Sequence, residues 1–108
     1  MAWFLLVVAG LFEVAMALFL KLSKGFSEPL PTVGFVVFAI VSFGLLTLAL
    51  RDLEVGTAYA VWVGIGAVGT AALGMLFMGD QVSVLKIGAL TLILIGVVTL
   101  NLAGGGAH

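Results

Sequence analysis

The chain has no cysteine, a single histidine and only two prolines. It also has little charge: 8% of its 108 residues. Each shortage excludes something. Without cysteine there is no disulfide framework, thiolate metal site or thiol nucleophile. With one histidine, His108 at the far end, no metal cluster or nucleophile–base pair can be assembled. His108 reads as a solvated terminal residue. No catalytic residue, metal or cofactor is therefore expected, and the chain does not read as an enzyme. A net charge of −1 offers no basic face for nucleic acid. Soluble domains carry about 25% charged residues. A chain this short exposes much of its surface, and so few charges cannot cover it in water. The solvent must be lipid.

What remains is 64% hydrophobic, arranged in runs of spanning length. A helix needs roughly 20 apolar residues to cross a hydrocarbon core about 30 Å thick. Four runs qualify, at about 3–22, 32–50, 56–78 and 84–103. The breaks are Ser27-Glu28-Pro29-Leu30-Pro31, Arg51-Asp52-Leu53-Glu54 and Gly79-Asp80-Gln81, which hold both prolines and much of the charge. The expectation is an all-α membrane protein, one four-helix transmembrane domain over 1–108. The first run lacks a basic n-region and carries a glutamate, so it reads as a retained helix and not a signal peptide.

Residues 61–70, VWVGIGAVGT, contain Gly64-x-Gly66-x-x-Gly69. A dinucleotide fingerprint needs a strand before the glycines, a helix after them and an acid about 20 residues on. Here the glycines lie inside an apolar run, and position 89 is Ala89. In lipid, small residues let helices approach closely, and glycine is a point where a helix can bend. The three glycines read as packing or kink positions in the third helix.

One acid lies deep in a span. Glu13 is ten residues beyond Trp3, or roughly 15 Å along a helix, close to the midplane. Burying its charge there is expensive, and Lys21 can snorkel away to the interface. The carboxylate can take up a proton or pair with a cation from outside the protein. A site that does either, but not both at once, exchanges protons for cations. Other groups are few. Tyr59 and Trp62 share a face at i, i+3, which Gly66 extends, and aromatic rings can hold an organic cation. The hydroxyls of Ser42 and Tyr59 could bond Glu13 or the ligand. Set against this, Tyr59 could belong to an interfacial belt, and Ser42 could bond its own helix.

Four short helices leave little interior for a substrate, whereas a dimer would bring two copies of Glu13 together, titrating as a pair. Lys21, Lys24 and Lys86 fall on one side of the membrane and Arg51 on the other. So small a bias lets both orientations insert. Two oppositely inserted copies would form an inverted repeat, the usual frame for alternating access around a midplane site.

These residues resemble the small multidrug resistance family of four-helix bacterial exporters over nearly the whole chain. The resemblance rests on GLFEVAMALFLKLSKGF (10–26), PTVG (31–34) and VGTAYAVWVGIGAVGT (55–70). It implies a multi-pass protein of the bacterial inner membrane, working as an antiparallel, dual-topology dimer that exports cations in exchange for protons. Glu13 would be the shared proton and substrate site. Tyr59, Trp62, Ser42, Gly10 and Met16 would line the pocket. Gly64, Gly66 and Gly69 would let the third helix kink. Gly88, Ala89 and Gly96 would pack the fourth helix against its partner's.

The chain also departs from the family pattern. Guanidinium-exporting members carry tryptophan three residues after the membrane glutamate and the drug-exporting branch commonly glycine; here it is Met16. Val63 stands where a small hydroxyl residue is usual. Gly10 and the GTAYAVW segment lean toward the guanidinium branch. Met16 is flexible and apolar, suited to varied ligands, and guanidinium would prefer more hydrogen-bond donors. The resulting order places quaternary ammonium and other hydrophobic cations slightly ahead of guanidinium, with a proton-coupled antiporter in either case. Partners are protons, small organic cations and the lipid bilayer. A homodimer is expected, and an obligate pair of two different chains stays open. A proton-channel or rotor subunit is disfavoured by four spans and the Tyr59–Trp62 face. A non-transporting partner chain would not need Glu13.

Overall fold

The computed structural model describes residues 1–103; His108 lies outside the described residues. The described chain forms four α-helices: α1 (Ala2–Leu22), α2 (Pro29–Ala49), α3 (Val55–Phe77) and α4 (Val84–Leu102). All four are long and apolar enough to cross a membrane. One boundary differs from the sequence reading. α2 starts at Pro29, three residues before the expected 32. A proline in a first turn has no intrahelical acceptor to miss, and its fixed φ suits the helix. The break that the two prolines imply therefore ends at Glu28, which is the N-cap.

The turns are built locally. Ser23 is buried between α1 and α2. Its hydroxyl donates to the Leu20 carbonyl at 2.7 Å and accepts the Phe26 N–H at 3.2 Å. Its carbonyl accepts the N–H groups of Ser27 and Glu28. Lys24, Gly25 and Phe26 all hold positive φ, a conformation natural only for the glycine. Ser83 caps α4 by accepting the Lys86 N–H at 3.1 Å.

The helices lie in a layer, not around a closed core. α1 is central and packs on α2 and α3, while α4 packs on α3 alone among the described residues. The molecule measures 45 × 34 × 17 Å, a flat layer. The packed cluster sits toward one end. Leu6 and Ala9 of α1 meet Leu46 and Ala49 of α2 and Ala58, Val61 and Trp62 of α3, with Leu53 from the loop beneath. Toward the other end, α1 and α3 leave a cavity of about 410 Å³ lined by Leu18, Leu22, Leu73, Phe77 and Met78. A ladder of rings joins α1 to α2, with Phe38 stacked 5.4 Å from Phe19 and 5.5 Å from Phe12. α4 buries no residue at all.

In lipid the gain from packing is van der Waals contact, not removal of surface from water. Leu6 is fully buried in the cluster. Leu6→Ala is expected to cost about 2 kcal/mol, the low end for such truncations in a core. Unfolding titration in mixed micelles, read by circular dichroism, checks this.

Candidate functional site

The site forms where α1, α2 and α3 meet, just beyond the packed cluster. Glu13 projects from α1 toward α3, and its side chain lies on the backbone of Gly66. A Cβ built at Gly66 would collide with the Glu13 carboxyl. Glycine at this position leaves room for the carboxyl, which occupies the place of a side chain. One turn on, a Cβ at Gly69 would come within 2.5 Å of a Val14 methyl. On α1 the relation reverses: Gly10 receives Ile65, whose Cγ2 would lie 2.7 Å from a Cβ at that position. Glu13 is thus set between two seats that draw α1 and α3 together.

The carboxyl is half-buried, and its Oε1 is buried without any hydrogen-bond partner. A buried acceptor left unpaired is unfavourable. The four cationic side chains stand at helix ends or in loops. Such a carboxyl gains from a proton or from a cation that donates hydrogen bonds.

Ser42 is fully buried. It bonds neither Glu13 nor its own helix. Its hydroxyl donates to the Ala9 carbonyl of α1 at 2.7 Å and accepts the Trp62 indole N–H of α3 at 2.9 Å. A single hydroxyl therefore ties three helices, one turn below Glu13. In α1, the Ala9 carbonyl is also the acceptor of the residue 13 N–H in regular helix geometry. Trp62 is buried, and its ring sits 5.6 Å from Tyr59 and 5.0 Å from Phe43. Tyr59 is more than half exposed, at the outer edge of this aromatic group. Phe43 was missed in the sequence. It follows Ser42 in an apolar run of several phenylalanines, and nothing in the run distinguishes it. Met16, on the same side of α1 as Glu13 by its i+3 spacing, is partly exposed.

The other glycines divide sharply. Gly64 carries α4: a Cβ there would come within 2.6 Å of a Val97 methyl. α3 itself is one unbroken α-helix through all three glycines. Gly88 and Gly96 of α4 meet nothing within 4 Å, and Ala89 is exposed. Nothing among the described residues requires their small size.

Gly66→Ala would force the Glu13 carboxyl out of its seat. Displacing a reacting group by about 1 Å can cost roughly a hundredfold. The variant is expected to insert and fold normally by circular dichroism, yet to lose at least about tenfold in cation-evoked current in liposomes. Ser42→Ala would leave the Trp62 N–H unpaired. It is expected to cost about 1–3 kcal/mol, with altered fluorescence of Trp62 measured in a Trp3→Phe background.

Comparison with known proteins identifies relatives of the sequence. The family model described as Small Multidrug Resistance protein matches residues 1–93. A protein of Yersinia pestis named "Guanidinium exporter" is 50% identical, over 95% of this chain and 99% of its own length. Proteins of the same name from Escherichia coli K12 and Proteus vulgaris are 47% and 42% identical over the same share of this chain, and 98% and 99% of their own. The four apolar helices and these bacterial relatives make the chain a multi-pass protein of the bacterial inner membrane. It belongs to the small multidrug resistance family.

Proposed function

We propose that the chain exports guanidinium and related guanidinyl cations in exchange for protons, with Glu13 holding one or the other. The observation that carries this reading is the buried, unpartnered Oε1 of Glu13. A guanidinium ion is planar and can present two parallel N–H donors to a carboxylate. The aromatic group of Phe43, Trp62 and Tyr59 offers ring faces for cation–π contact. This is transport, not catalysis.

The order of substrates reverses the one set by the sequence. Met16 and Val63 favoured quaternary ammonium ions. The relatives named guanidinium exporters, at 47–50% identity over 95% of the chain, favour guanidinium. Quaternary ammonium export is the second reading, and the flexible, apolar Met16 beside Glu13 supports it.

The working unit in this proposal is an antiparallel dimer of identical chains. It gives a partner to α4, none of whose residues is fully buried, and a reason for the open Gly88, Ala89 and Gly96. It also closes a layer too thin to hold a substrate alone. Bending at Gly64, Gly66 and Gly69 would let α3 differ between the two copies. Each copy would then open to one side in turn. A pair of different chains is the alternative assembly.

The test is substrate-evoked current from purified protein in liposomes. Guanidinium is expected to give current that Glu13→Gln abolishes. A larger response to tetrapropylammonium than to guanidinium would move the assignment to the second reading. Current from guanidinium that survives in Glu13→Gln would reject the site.

A further inference from the structure

The turn between α3 and α4 brings two opposite charges to one cavity without pairing them. The cavity measures about 230 Å³ and is lined by Ala71, Met75, Asp80, Lys86, Ala89 and Leu90. Asp80 is held from both ends of the residue. Its N–H donates to the Gly74 carbonyl at 3.0 Å, and its carboxylate lies over Gly74, where any Cβ would collide with it. Lys86 is held on the opposite wall. Its Nζ donates to the Gln81 carbonyl at 2.8 Å and not to Asp80. Both residues are exposed.

Each charge also sits at the wrong end of a helix. Asp80 follows the C-terminus of α3, where unsatisfied carbonyls already concentrate negative potential. Lys86 stands in the first turn of α4, where free N–H groups concentrate positive potential. The turn is therefore a dipole, negative beside α3 and positive beside α4. It lies at the ends of two membrane-spanning helices, which is the level of lipid headgroups. One helical turn inward the walls become apolar: Ala71 behind Met75, and Leu90 behind Lys86. That is about 6 Å of depth, enough for the first methylenes of an acyl chain.

We propose that this turn binds a zwitterionic phospholipid with a primary amine, of the phosphatidylethanolamine class. Its ammonium donates to Asp80, its phosphate accepts from Lys86, and the start of one acyl chain lies along Ala71, Met75 and Leu90. Charge complementarity selects this lipid. A choline headgroup has no N–H to donate. A phosphatidylglycerol headgroup brings no cation to Asp80.

The experiment exchanges the purified protein into bicelles with equal amounts of phosphatidylethanolamine, phosphatidylcholine and phosphatidylglycerol, and counts retained lipids by native mass spectrometry. The wild-type chain is expected to retain phosphatidylethanolamine over phosphatidylcholine by about two- to fivefold, within the range of exposed charge pairs. Asp80→Asn should bring the two lipids to parity, and Lys86→Gln should lower the retention of both. Glu13→Gln should keep the preference, which separates this site from the transport site. Equal retention of the two lipids by the wild-type chain would overturn the proposal, without reference to any variant. So would a preference for phosphatidylglycerol, or a preference for phosphatidylethanolamine that survives Asp80→Asn.

Discussion

The molecule is arranged around a carboxyl placed in hydrocarbon without a fixed partner. Every other feature of the centre follows from holding Glu13 there. Gly66 gives up its side chain so that the carboxyl can lie on the α3 backbone. Gly10 and Gly69 let Ile65 and Val14 interlock on either side. Ser42, bonded to Ala9 and Trp62, fixes the turn of α1 that leads into Glu13. Such a network is unfavourable to break, because each lost partner leaves a buried polar group in a medium that offers no water. The scaffold is tied where the carboxyl is attached, and the buried Oε1 has no hydrogen-bond partner among the described residues.

Rigidity is not spread evenly along the helices. The packed cluster lies toward the loop between α2 and α3, and the other end of α1 and α3 is parted by an apolar cavity. Glu13 stands near the point where packing gives way to opening. Small residues are used in two ways in this chain. In α3 they receive side chains from α1 and α4. In α4, at Gly88 and Gly96, they face nothing of their own chain. The first set determines the shape of the protomer. The second is what an assembly would use.

Much of this was legible in the sequence because lipid simplifies the reading. With 8% charge, four runs of spanning length and one intramembrane acid, the helix number and the central residue follow directly. The close approach of the α3 glycines was also legible, since their spacing within an apolar run excludes a phosphate loop. The start of α2 was not, because Pro29 and Pro31 mark a break equally well before or inside a first turn. Nor was the partner of Ser42. Its two bonds reach residues 33 and 20 positions away, a separation that no local pattern encodes. Phe43 is hidden for the same reason. The substrate order read from the sequence weighs two substituted positions, Met16 and Val63, above the GTAYAVW segment and Gly10, whereas the names of the relatives favour the opposite order.

The central claim is that one carboxyl serves both proton and cation. It is tested most directly by adding guanidinium to the purified protein in weakly buffered detergent solution and recording the pH. The account predicts that guanidinium displaces protons into solution, and that Glu13→Gln releases none. Saturable guanidinium binding to the wild-type protein with no proton release, or equal release from the variant, would contradict it.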